Sequence, residues 1–293
     1  MNKILIFFIC FTSTNVSVLA QTTLKIWERT ALFTTKQKWS ELTTYLPSQE
    51  NNTGISIIIC PGGSYCYLGM KKEGHQIARY LQSKGIAAFV LRYRVGLYGN
   101  EHPAMIQDLQ RAVQLVKEMS GETGIDPDKV GVMGFSAGGH LVGTAATYFD
   151  VNFMEPLGIV PDVSLKPAFV AMIYPVVSMT DENIVHKRSR RNLLGKSNKT
   201  KAMENYLSLE KNVREDMPPI FLMHCTGDKK VDYRNSEYYA EALSAKKVKH
   251  KYLLFDEKGH GFGIKPNGKA TGWQEHFISW LLDEYNIKIN ERR

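Results

Sequence analysis

The sequence predicts an α/β fold, with a mostly parallel central sheet and helices on both faces. Short runs rich in Ile, Val and Phe alternate along the chain with amphipathic stretches, and alternating strands and helices build parallel sheets. Several runs are apolar at every position, the pattern of strands covered on both sides. The residues best suited to chemistry stand directly after those runs, at the strand ends where such sheets bind ligands.

The first strand is expected at 55–60 and an amphipathic helix at 73–83. A strand at 86–93 leads to a helix at 103–119, in which Ile106, Leu109, Val113, Val116 and Met119 recur at helical spacing and Pro103 suits the first turn. The strand at 130–135 runs straight into a helix at 137–149. Apolar runs at 168–176, 220–224 and 251–255 read as the remaining strands, with helices at 236–245 and 272–285. No internal repeat or low-complexity linker interrupts the series, so 21–293 reads as a single domain.

Residues 1–20 differ in kind. Lys3, the apolar stretch from Ile4 to Phe11 and the small-residue exit Val18-Leu19-Ala20 read as a secretory signal peptide, which places the mature protein in the periplasm or outside the cell. No later run is long and apolar enough to span a bilayer, so no membrane anchor is expected. Loss of the leader removes Cys10 and leaves Cys60, Cys66 and Cys225. An odd number argues against a disulfide framework, and buried free thiols are expected instead. The close Cys and His pairs of a zinc site are missing, so neither metal nor cofactor is expected. The net charge of +8 is partly local, in 186–191 followed by Lys196, Lys199 and Lys201. That cluster reads as a solvated loop. It lacks interleaved aromatics, which argues against nucleic acid as a partner.

Gly134-Phe135-Ser136-Ala137-Gly138 is a G-x-S-x-G motif between a strand and a helix, the context in which it works as a nucleophile turn. Close chain approach at a sharp turn leaves no room for side chains at the flanking positions. The Ser136 hydroxyl then projects at a helix N-terminus, where the Ala137 N–H can stabilise an oxyanion. A serine nucleophile needs a base, and the base needs an orienting carboxylate. Among eight histidines, His260 lies in a glycine-rich loop just after the last expected strand. Asp228 stands closest to the end of the 220–224 strand, with Asp232 as a competitor that can instead cap the following helix. Ser136, Asp228 and His260 thus follow the chain order nucleophile, acid, histidine. After the first strand, Cys60-Pro61-Gly62-Gly63-Ser64-Tyr65 offers small residues whose N–H groups can face a substrate oxygen.

At these residues the sequence resembles the α/β-hydrolase superfamily, and within it secreted bacterial acetyl-xylan-esterase-like (acetyl esterase/lipase) proteins. PGGSY, VLRYR, GIDPDKVGVMGFSAGGHL, YPVVSM, PPIFLMHCTGDKKVD and GHGFG carry the likeness over roughly residues 55 to 285. The resemblance implies Ser136 as nucleophile, Asp228 as acid, His260 as base, and Gly63, Ser64 and Ala137 as oxyanion donors. Relatives often have histidine where Pro61 stands, glycine where Ser64 stands and proline where Asp232 stands. These departures leave open which N–H of the 62–64 loop is the main donor and keep Asp232 in contention. The implied activity is ester hydrolysis with a short acyl group, acetate above all, on an oligosaccharide or small-molecule ester of plant cell-wall type such as xylan. Tyr65, Tyr67 and the stretch between Met179 and Tyr206 are candidates for the substrate rim. Two alternatives remain: a serine peptidase of the prolyl-oligopeptidase type, for whose large N-terminal propeller the stretch before the first expected strand leaves no room, and a binding protein on an inactive hydrolase fold. Dienelactone hydrolysis is disfavoured because Ser136 stands where those enzymes use cysteine.

Overall fold

The computed structural model describes residues 21–27, 40–264 and 272–285; the expected leader lies outside them. Eight strands form one sheet: β1 (Thr23–Lys25), β2 (Glu41–Tyr45), β3 (Ser56–Cys60), β4 (Ala87–Arg92), β5 (Val130–Phe135), β6 (Val170–Ile173), β7 (Ile220–Cys225) and β8 (His250–Phe255). Their order is β1-β2-β4-β3-β5-β6-β7-β8. From β4 to β8 every pairing is parallel, while β1 and β2 join antiparallel at one edge.

The six expected strands are all present. The two additional ones have no apolar run: β1 is three exposed residues, and β2 has Glu41, Thr43 and Thr44 among its five. β2 forms on the edge that β4 offers, where Leu42 lines up with Leu91 and Thr43 with Val90, and β1 adds to the free side of β2 with Leu24 opposite Leu42. They occupy the stretch that the sequence left empty before its first strand. The β6 run, expected to reach residue 176, leaves the sheet after Ile173 because Tyr174 turns to φ 38° and proline follows.

The helices are α1 (Gln76–Ser83), α2 (Ala104–Glu118), α3 (Ser120–Thr123), α4 (Ala137–Thr147), α5 (Lys187–Leu194), α6 (Lys201–Tyr206), α7 (Arg234–Ala245) and α8 (Trp273–Tyr285). Both faces of the sheet are covered. Ile58, Leu222 and their neighbours pack with Leu109, Val113 and Val116 of α2, Leu141 and Val142 of α4, and Leu243 of α7. Ile57, Ile59 and Phe221 point the other way, against Ile77 and Leu81 of α1 and Phe277 and Trp280 of α8. Successive strand residues therefore enter opposite cores, which is why the runs are apolar at every position.

One buried charge ties three segments together. The Asp108 carboxylate on α2 accepts hydrogen bonds from Trp27 Nε1 at 2.7 Å, Ser40 Oγ at 2.6 Å and the Arg94 N–H at 2.7 Å, and Arg94 Nε lies 2.9 Å away. These bonds offset the cost of removing the ion pair from water. Cys60, Cys66 and Cys225 are free thiols; Cys60 and Cys225 are buried, while Cys66 is only partly so. Among the described residues no helix is long and apolar enough to cross a membrane, and no cluster of three or more His, Cys, Asp or Glu is placed to hold a metal ion.

Candidate active site

Ser136 sits between β5 and α4 at φ 53° and ψ −117°, a conformation an L-residue adopts only under constraint. The constraint is visible. Its N–H donates to the Ile173 carbonyl at 3.0 Å, and its own carbonyl accepts from Val176 at 3.1 Å and His140 at 3.2 Å. A Cβ on Gly134 would stand 2.0 Å from the Gly138 oxygen, and one on Gly138 2.1 Å from the Cys60 oxygen. The glycines are therefore required by backbone contact, as the motif implies.

His260 arrives from the loop after β8, where Gly259, Gly261 and Gly263 all have positive φ. Its Nε2 lies 2.9 Å from Ser136 Oγ and its Nδ1 2.6 Å from Asp228 Oδ2. The carboxylate at Nδ1 keeps a proton there, leaving Nε2 to accept from the serine hydroxyl. The turns carrying the two partners are joined by a bond from the Gly227 N–H to the Glu257 carbonyl at 2.7 Å.

The Asp228 side chain is fully buried. Burial works against its charge, but hydrogen bonding to His224 and His260 outweighs it and holds the carboxyl well below the usual range. The Lys230 and Val231 N–H groups add bonds to Oδ1 at 2.8 and 3.1 Å. His224, in β7, is 3.3 Å from Oδ2 through Nε2, and its Nδ1 lies 2.7 Å from Ser236 Oγ. In the sequence His224 reads as the last residue of an apolar strand, and its four-residue spacing from Asp228 is the one signal that points to it. Asp232 is engaged elsewhere, with its Oδ2 2.6 Å from the Arg234 guanidinium.

The loop after β3 lies over the serine. A Cβ on Gly62 would meet Ser136 Cβ at 2.9 Å. The Gly62 N–H is taken, donating to Glu73 Oε2 at 2.9 Å, whereas among the described residues the N–H groups of Gly63, Ser64 and Ala137 have no acceptor. Gly63 is at φ 139°, Ser64 at 59° and Tyr65 at 55°. The surroundings hold this shape: Asn192 Nδ2 of α5 donates to the Ser64 carbonyl at 2.8 Å, and Tyr93 Oη donates to the Pro61 carbonyl at 2.7 Å.

Glu73 is a residue the sequence did not single out. Buried beneath the loop, it accepts from Gly62 through Oε2 and from Tyr174 Oη through Oε1 at 2.9 Å, while Tyr174 Oη accepts from the Gly263 N–H at 3.2 Å. Burial pushes its carboxyl upward against those bonds. The Tyr174 ring also lies 4.7 Å from the His260 imidazole. One carboxyl thus links the loop over Ser136 to the loop that presents His260.

These groups open into a cavity of about 760 Å³ lined by Ser136, His260, Gly63, Ser64, Tyr67 and Arg188, among others. Two expectations about its rim change. Tyr65 is fully buried, its Oη 2.8 Å from His140 Nδ1, so it belongs to the support and Tyr67 alone reaches the mouth. The basic stretch at 186–191 is chiefly the helix α5 and not a solvated loop, because His186 caps its first turn by accepting from the Ser189 N–H and Leu193 and Leu194 anchor its other end in the core. His186 and Arg188 line the cavity.

The BD-FAE family profile matches residues 42–243. The chain belongs to the BD-FAE family. This BD-FAE protein is 33% identical over 239 residues to endo-1,4-beta-xylanase B of Butyrivibrio fibrisolvens, covering 80% of the chain and 36% of the relative. It is 32% identical over 228 residues to an acetylxylan esterase of Xylanibacter ruminicola, covering 77% of the chain and 44% of the relative. The chain therefore spans less than half of either relative. A crystal structure of an acetyl ester-xyloside bifunctional hydrolase from Caldicellulosiruptor lactoaceticus superposes with a TM-score of 0.83 at 31% identity, over 93% of this chain and 100% of that one. The BD-FAE chain has the α/β-hydrolase fold that its motifs resemble.

Proposed function

We propose that the protein is a serine carboxylesterase that removes short acyl groups, acetate above all, from carbohydrate of the xylan type. The observation that carries the reading is the unbroken hydrogen-bonded chain Ser136–His260–Asp228, with spacings of 2.9 and 2.6 Å, at a cavity with uncommitted N–H groups. The similarity to proteins named acetylxylan esterase and acetyl ester-xyloside hydrolase supports the substrate class. In the first half-reaction His260 Nε2 takes the hydroxyl proton as Ser136 Oγ bonds to the ester carbonyl carbon. The resulting oxyanion faces the N–H groups of Gly63 or Ser64 and of Ala137. The C–O bond to the sugar then breaks, the sugar oxygen takes the proton from Nε2, and the acyl group remains on Ser136. Water repeats the sequence and releases the acid. Asp228 holds the imidazole tautomer and stabilises the imidazolium throughout. The composition of residues 1–20 supports an exported enzyme.

The test is acetate release from acetylated xylo-oligosaccharides, beside acetylated chitin fragments and a chromogenic acetate ester. Ser136→Ala should lower turnover by at least about 10⁴-fold. Turnover confined to the chromogenic ester would remove xylan from the reading. Full activity in Ser136→Ala would remove the mechanism.

A further inference from the structure

Four cations from three segments reach the cavity mouth. Lys71 and Lys72 come from the turn before α1, Arg188 from α5, and Lys230 from the turn after β7. All four are exposed. Among the described residues none of them pairs with a carboxylate. Their neighbours differ: Lys187 and Arg190 reach Glu182, Lys201 reaches Glu204, and Arg234 reaches Asp232. The one acidic residue in the lining is Glu73, which is buried and already bonded to Gly62 and Tyr174. A solvated charge run comes from one segment and sits among counter-charges, whereas these cations converge from three segments onto one opening whose single lining acid is buried and already bonded.

The Arg188 guanidinium is also held in place. It lies 5.7 Å over the Tyr67 ring, and its Nη2 is 3.4 Å from Cys66 Sγ. Tyr67 is 55% exposed, so its ring and the fork of donors above it can both be reached from the mouth. That pair suits a sugar ring stacked on tyrosine with a carboxylate reaching the guanidinium. An acetyl group fills little of about 760 Å³, and the remainder can take the sugars around it.

We propose that this rim is a subsite for a carboxylate-bearing sugar, so that the preferred substrates are acylated oligosaccharides with a uronic acid branch close to the esterified residue. This rests on the esterase reading above for its turnover arm and on the rim alone for its binding arm.

The first arm compares kcat/KM for an acetylated xylo-oligosaccharide bearing a glucuronic acid branch with that for its carboxyl-reduced analogue. A preference for the acid of about tenfold is expected at low salt, the yield of several exposed charge contacts acting together. It should shrink toward unity near 0.5 M salt, where charges more than about 5 Å apart are screened, and in the double variant Arg188→Gln/Lys230→Gln. The second arm titrates the deacetylated pair into Ser136→Ala by calorimetry, with the acid expected to bind about tenfold tighter. Equal binding of acid and reduced analogue overturns the subsite. Tighter binding of the acid with no turnover of either acetylated sugar keeps the subsite and overturns the esterase reading.

Discussion

Asp228 and Asp232 stand four residues apart, and their surroundings give them different roles. Asp228 is buried against His260 and His224, and Asp232 is spent on Arg234. In the proposed mechanism Asp228→Asn should reduce kcat by about 10⁴-fold, because the amide favours the wrong imidazole tautomer. Asp232→Asn should leave kcat within about twofold, since a partly exposed pair contributes little; comparable losses in the two variants would reverse the assignment. Glu73→Ala frees both the Gly62 N–H and Tyr174 Oη. Small displacements of both loops should then lower kcat by about 100-fold with little change in KM. A variant impaired only in KM would mean that Glu73 acts on substrate directly. Glu73, Tyr174 and His224 were not legible in the sequence. Glu73 follows two lysines and reads as one more surface charge, Tyr174 and His224 close apolar strand runs, and the Glu73–Tyr174 bond spans 101 residues, so nothing local announces it.

The turn between β5 and α4 allows no added carbon at its glycines. Gly138→Ala would press a methyl carbon to 2.1 Å from the Cys60 carbonyl oxygen, and the required shift falls on the strand that carries the loop over Ser136. Loss of more than about 2 kcal/mol of stability, read from a urea midpoint, together with loss of activity, is expected; a stable, active Gly138→Ala would show that β3 and α4 can separate. Elements in the middle of the sheet were legible because burial on both faces leaves every position apolar, as in β5 and β6. β1, β2 and α5 were not. β2 is held by pairing with β4 and β1 by pairing with β2, properties of the partners, and half of α5 is basic, with only Ser189, Leu193 and Leu194 buried. The rim was legible in part, since Tyr67 and, through His186 and Arg188, the 179–206 stretch do line the cavity; what the cluster of charges left open is that it reads alike whether it faces bulk water or a cavity.

Across the whole molecule, acid should be more damaging than base. Burial lowers the pKa of His140 and of His102 to about 4. A histidine held neutral in the fold stabilises above its unfolded value near 6.5, and that stability is lost as pH falls from there toward 4. Each can contribute at most about 3 kcal/mol over that window, and the depressed Asp228 carboxyl adds a loss in the same direction at still lower pH. The urea midpoint should therefore fall steeply between pH 7 and pH 4.5, and a flat profile would mean that both imidazoles find proton-accepting partners. The order of the chain carries another consequence. Ser136 follows β5, while Asp228 and His260 follow β7 and β8, and the His260 loop is pinned by Trp273 Nε1 of α8 to the Gly263 carbonyl at 2.9 Å. During synthesis from the N-terminus, the strained serine turn can form long before its base exists. In the proposed mechanism the hydroxyl then stays an ordinary alcohol until the final strand and helix dock, so a nascent or half-docked chain should resist acylation by the metabolites of the cell that makes it.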